Sequence, residues 1–129
     1  MKQTSAWILG SVLLIALLAA DGFGQAVDPK TLVGEWVGQW RFQGMYRQLS
    51  GQYSLSVRKI DDKGNVVGHV VSEGTDDRQV KIPARNAEVR GKLEGNRLII
   101  GRDEFTVDGE RMNGERRDTY SKIELTKKK

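Results

Sequence analysis

Apolar and polar residues alternate with a period of two through most of residues 33–126, and that periodicity confines the chain to β-structure. In Gly34-Glu35-Trp36-Val37-Gly38-Gln39-Trp40-Arg41-Phe42 one face carries Gly34, Trp36, Gly38, Trp40 and Phe42, and the other Glu35, Val37, Gln39 and Arg41. Tyr53, Leu55 and Val57 repeat the pattern, as do Ala87, Val89, Gly91 and Leu93, and later Ile123 and Leu125. Strands with one wet face read this way. Asp61-Asp62-Lys63-Gly64-Asn65, Glu94-Gly95-Asn96 and Asp108-Gly109-Glu110 separate such runs by a few residues, which is hairpin chemistry. The spacing predicts strands over 33–42, 52–60, 65–73, 79–83, 86–93, 96–102, 104–107, 111–117 and 119–126. Only residues 28–32 could form a helical turn. Sequential hairpins make a meander, and a meander of about eight strands with one apolar face closes on itself to remove its edges. The expected fold is therefore all-β, an antiparallel up-and-down β-barrel of about eight strands, with an open two-sheet sandwich as the alternative.

A different pattern precedes the strands. Lys2 is followed by an apolar run from Ala6 to Ala20. As a helix about 15 residues would reach roughly 22 Å, short of a bilayer core of about 30 Å. A basic start, a short apolar run and then small residues make a secretory signal peptide over residues 1–26, with 27–129 as one mature domain. Gly24 and Ala26 suit a cleavage site that leaves Val27 first. Cleavage after Ala20 is the alternative, and no stable membrane span remains after either. Leu18-Ala19-Ala20 resembles the start of a lipobox, but Asp21 stands where the lipid-bearing Cys must be. The chain has no Cys, which excludes disulfide frameworks, thiol chemistry and zinc–thiolate sites. A secreted or periplasmic bacterial protein is expected.

Gly34-x-Trp36, at the head of the first strand after a short turn, resembles the first strand of the calycin superfamily: lipocalins, fatty-acid-binding proteins and avidins. The stretch from Leu32 to Trp40 looks especially like the opening of small bacterial lipocalin-like or avidin-like domains. This resemblance implies a lipocalin-like barrel over residues 32–126. It also implies a basic residue near the last strand packed on Trp36, a part for Arg116 or Arg117. The middle Thr-Asp-Tyr motif of lipocalins is missing. Trp36 and Trp40 are the only tryptophans of the mature chain, whereas avidins place further ones around biotin. The resemblance therefore names no ligand.

Trp36 reads as the residue closing the barrel floor. Trp40, Phe42, Tyr53, Leu55 and Met112 are the candidate ligand-binding residues, able to line the mouth around a small apolar or amphipathic molecule. The same aromatic residues could instead simply fill the core. His69 is the single histidine and, without Cys, assembles no common zinc site. It reads as a satisfied rim or surface residue. No Gly-x-Ser-x-Gly elbow is present, and no constellation supports an enzyme. Asp61-Asp62, Asp76-Asp77 and Asp103-Glu104 are adjacent carboxylates that would face opposite sides of a strand and so cannot flank one bond. They read as solvated turn acids. No metal or cofactor is expected.

Lys and Arg number 21 against 17 Asp and Glu, a net charge of +4. That excess suits an acidic envelope partner or an anionic surface, or simply keeps the surface soluble. Aromatic residues are not interleaved with the basic ones, so nucleic acid is not an expected partner. The expected function is non-catalytic binding of a small apolar or amphipathic ligand within the barrel. The alternative is an envelope protein–protein interaction module or hydrolase inhibitor, acting through loops such as Ser72 to Gln79. A barrel filled completely by its own side chains would favour that alternative.

Overall fold

The computed structural model describes residues 26–44, 48–117 and 119–129. Residues 1–25 of the expected signal peptide, with the cleavage option after Ala20, fall outside the described residues. A short helix, α1 (Pro29–Leu32), opens the described chain. Asp28 caps it by accepting the Lys30 N–H, and Pro29 supplies the preset φ of a first helical turn.

Eight strands then form a closed antiparallel barrel: β1 (Gly34–Gln43), β2 (Gln48–Ile60), β3 (Asn65–Ser72), β6 (Arg85–Glu94), β7 (Arg97–Ile100), β8 (Asp103–Asp108), β9 (Arg111–Arg116) and β10 (Ser121–Lys127). Between β3 and β6 lies a separate two-stranded hairpin, β4 (Thr75–Asp76) with β5 (Lys81–Ile82). Every barrel strand pairs with its sequence neighbour except where that hairpin intervenes and where β1 meets β10 to close the ring. This is the expected all-β, up-and-down barrel.

The strand limits differ from the sequence expectation at two places. β2 begins at Gln48, because Leu49 and Gly51 stay in phase with Tyr53 and Leu55 and pair with Phe42 and Trp40 of β1. The expected strand over 79–83 shrinks to one arm of the small hairpin. There the Asp77 carboxylate accepts the N–H groups of Gln79 and Val80, which turns the chain.

Two ends result. At the base lie α1, the hairpins at 61–64, 95–96 and 109–110, and the C-terminus. At the mouth lie the end of β1 and the start of β2, the β4–β5 hairpin, Gly101-Arg102 and Thr119-Tyr120. Trp36 is completely buried at the base, its indole N–H donating to the Leu32 carbonyl at 2.9 Å. The Lys127 ammonium lies 5.9 Å from the Trp36 ring and also donates to the Thr31 carbonyl. The basic residue on this tryptophan is thus Lys127, not Arg116 or Arg117. Register is the reason: Lys127 pairs with Trp36, whereas Arg116 pairs with Ser121 at the opposite end.

Trp36, Leu55, Val70, Leu98, Ile100 and Met112 are 0% exposed, so they border no space that admits a water molecule. From the base through its middle, the barrel is filled. Two glycines make room for this filling. A Cβ on Gly51 would sit 2.5 Å from the Trp40 indole nitrogen, and one on Gly114 would sit 2.5 Å from the Phe105 ring.

Candidate functional site

The inward positions turn polar at the mouth. Ser72 ends β3, Arg85 starts β6, Asp103 starts β8, Arg116 ends β9 and Ser121 starts β10. Register places them side by side: Tyr53 pairs with Ser72, Ser72 with Arg85, Asp103 with Arg116, and Arg116 with Ser121. The period-two alternation that buries Phe105 and Val107 thereby also buries Asp103, two residues earlier.

Asp103 is the hub. Its Oδ2 accepts the Tyr53 hydroxyl at 2.5 Å and Arg85 Nη1 at 3.0 Å, and its Oδ1 accepts Arg116 Nε at 3.3 Å. The carboxylate is 0% exposed, the Arg116 side chain 5% and the Arg85 side chain 21%. Asp103 is therefore no solvated turn acid, and the sequence expectation is corrected there. A carboxylate so far from water persists because three donors replace its hydration.

Burial, and then the nearby Asp103 charge, push the Tyr53 phenol far above its ordinary range. Tyr53 thus stays neutral, and its ring packs edge-on against Phe105 with 6.1 Å between centroids. Of the two guanidiniums on this carboxylate, Arg85 is the more accessible to solvent. Beside it the Ser72 hydroxyl is buried without a hydrogen-bond partner. Half-buried Phe42, Leu49 and Val80 pack against the core around this end.

The sequence-derived candidates divide between two levels. Trp40, Phe42 and Tyr53 lie toward the mouth. Trp40 is buried and donates its indole N–H to the Glu73 carbonyl at 2.8 Å, while Phe42 pairs with Ser121 and Leu49. Leu55 and Met112 lie deeper, beside Trp36 and Val70 and beside Leu125 and Val107 respectively, inside the packed interior. His69 is on the outer face, its Nε2 2.6 Å from the side-chain Oδ1 of Asn86. Sequence reasoning passed over Arg85 and Asp103 as site residues and gave Arg116 the wrong partner.

One backbone feature stands apart. Tyr120, in the β9–β10 turn at the mouth, has φ 52° and is 84% exposed. A left-handed conformation costs a side-chain-bearing residue about 1–2 kcal/mol.

No protein-family model matches the chain, and no curated protein matches its sequence.

Proposed function

We propose that this chain is an exported, non-catalytic binding protein of calycin type that holds a small amphipathic molecule at the mouth of its barrel. The ligand's apolar part rests on Phe42, Leu49 and Val80, and its polar group faces Arg85. The observation that carries this reading is the contrast between the two ends. Apolar side chains fill the base and middle, while the mouth holds a charged cluster with one partly exposed guanidinium and a half-buried apolar rim. A buried ion cluster stabilises a fold less than apolar residues of equal volume, so its place at the accessible end suits recognition better than support. The partly exposed Arg85 guanidinium favours an acidic polar group, which a guanidinium binds through two parallel hydrogen bonds.

The test is tryptophan emission of the mature domain, in which Trp36 lies at the base and Trp40 near the mouth, titrated with octanoate and with octylamine. Octanoate should give a saturable change that Arg85→Leu and Phe42→Ser each weaken, and octylamine should give none. Equal responses to both probes, or no response to either, would overturn the reading.

A second reading is capture of another envelope protein by the loops of this largely filled barrel. Tyr120 favours it, because an aromatic side chain held exposed at a strained turn is the kind of anchor that interfaces use. Loss of a co-purifying partner on Tyr120→Gly, with octanoate binding unchanged, would select this reading.

A further inference from the structure

On the outer wall, β9, β10, β1, β2 and β3 together frame a groove of about 930 Å³. A barrel's outer wall is ordinarily convex. At Gly38, on the inward face between Trp36 and Trp40, a Cβ would lie 1.8 Å from the Glu124 carbonyl oxygen and 3.0 Å from the Leu125 Cα. Only a residue without a side chain lets β1 and β10 approach so closely there, and outward side chains of these strands and their neighbours form the groove's walls.

Those walls have an unusual composition for a sheet surface. Register sets Thr126, Val37, Ser54 and Val71 in one row across four strands, and Asn113, Glu124, Gln39 and Gln52 in the next. Val37 and Val71 are 37% and 46% exposed, so the first row carries an aliphatic strip open to solvent. The second row carries three primary amides. Among the described residues, the side chains of Gln39, Gln52 and Asn113 make no hydrogen bond. Glu73 at one end accepts the Gln52 backbone N–H, and Arg111 and Glu124 at the other carry opposite charges.

We infer that this groove binds a short neutral oligosaccharide. Amides present a donor and an acceptor side by side, which matches the paired hydroxyls of a sugar ring, and the valine strip matches the ring's C–H face. Net charge argues against other occupants. Arg111, Glu124 and Glu73 sum to −1, which repels a polyanion. Tyr53 is the one aromatic residue that borders the groove, and at 1% exposed its ring offers no anchor of the kind that concentrates binding energy in protein interfaces. Five strands spaced about 4.8 Å apart give a path of roughly 19 Å around the barrel wall, room for a short oligosaccharide. The inference does not rest on the function proposed above.

The experiment is a ¹H–¹⁵N titration of the mature domain with maltotetraose, cellotetraose and chitotetraose. Each would be carried to about 10 mM, because a shallow hydrogen-bonded site permits Kd values near the millimolar range. At least one sugar should shift the side-chain amide signals of Gln39, Gln52 and Asn113 together. The Gln39→Val/Asn113→Val variant should then bind it at least tenfold more weakly while keeping the spectrum of a folded barrel. Both substitutions sit on the outer face, so the core is untouched. The inference fails if none of the three sugars moves these signals, or if shifts are confined to Phe42 and Arg85 at the mouth. It also fails if the same signals move on raising protein concentration alone, since the groove would then be a face for a second copy of the chain.

Discussion

Replacing Asp103 by Ala removes the carboxylate on which Tyr53, Arg85 and Arg116 converge. The cost can be built from each partner's exposure. Arg116 is 5% exposed and cannot reach water without opening β9, so its guanidinium loses a carboxylate partner in a buried position. Breaking a buried pair in this way costs about 3–5 kcal/mol. Arg85 is 21% exposed and can turn outward, so it adds little. The Tyr53 hydroxyl loses its acceptor in a buried position, which costs about 1–3 kcal/mol, part of it already within the first figure. A total near 4 kcal/mol follows, and at about 4–8 °C per kcal/mol for a domain of this size the melting temperature should fall by roughly 16–30 °C. Urea unfolding followed by near-ultraviolet circular dichroism would measure it, with the slope m unchanged if the barrel itself is intact. The triple variant Asp103→Leu/Arg85→Leu/Arg116→Met should recover most of the loss, because it removes the charges along with their partner. If Asp103→Ala costs less than about 1 kcal/mol, the size of an exposed ion pair, the cluster is not buried as described and the reasoning fails.

Other consequences of the packing can be checked separately. Gly51→Ala puts a methyl group into the Trp40 indole, a buried ring held by its bond to Glu73, and should destabilise by about 1–3 kcal/mol with a shift in tryptophan emission; an unchanged denaturation midpoint would contradict the close contact. Lys127→Ala should cost about 1 kcal/mol through loss of the Trp36 ring contact and the Thr31 bond, whereas Arg117→Ala should cost less than half of that, and urea midpoints would show the order. The raised pKa of Tyr53 means the folded state holds that proton more tightly than the unfolded chain. Its contribution is therefore complete below the unfolded value of about 10 and is lost as pH rises above it, by up to about 1.4 kcal/mol per pH unit. Tyr53→Phe should remove that part of the alkaline slope, and phenolate absorbance from Tyr53 should appear only on unfolding.

The barrel was legible because alternation and hairpin turns act locally, and Trp36, Trp40, Tyr53, Leu55 and Met112 all fall on the inward face that their parity assigns. What parity alone does not give is depth along the barrel. Leu55 and Met112 share a face with Trp40, yet register sets them lower, where the interior is packed. Asp103 was misread because it follows Gly101-Arg102 and adjoins Glu104, which makes it look like part of a turn. Its phase with Phe105 and Val107 was the signal that pointed inward. Arg85 and Asp103 are 18 residues apart and meet only through strand order. Lys127 was missed for the same reason, since the β1–β10 register, not proximity to a motif, sets it against Trp36.

The central claim is that the mouth, with Arg85 at its accessible edge, holds an amphipathic molecule. Native mass spectrometry of the mature protein purified from the periplasm of expressing cells tests it most directly, with Arg85→Leu prepared in parallel. The account predicts a dissociable small-molecule mass on the original chain that is absent or strongly reduced on the variant. A bare polypeptide mass for both, or an equal adduct on both, would contradict it.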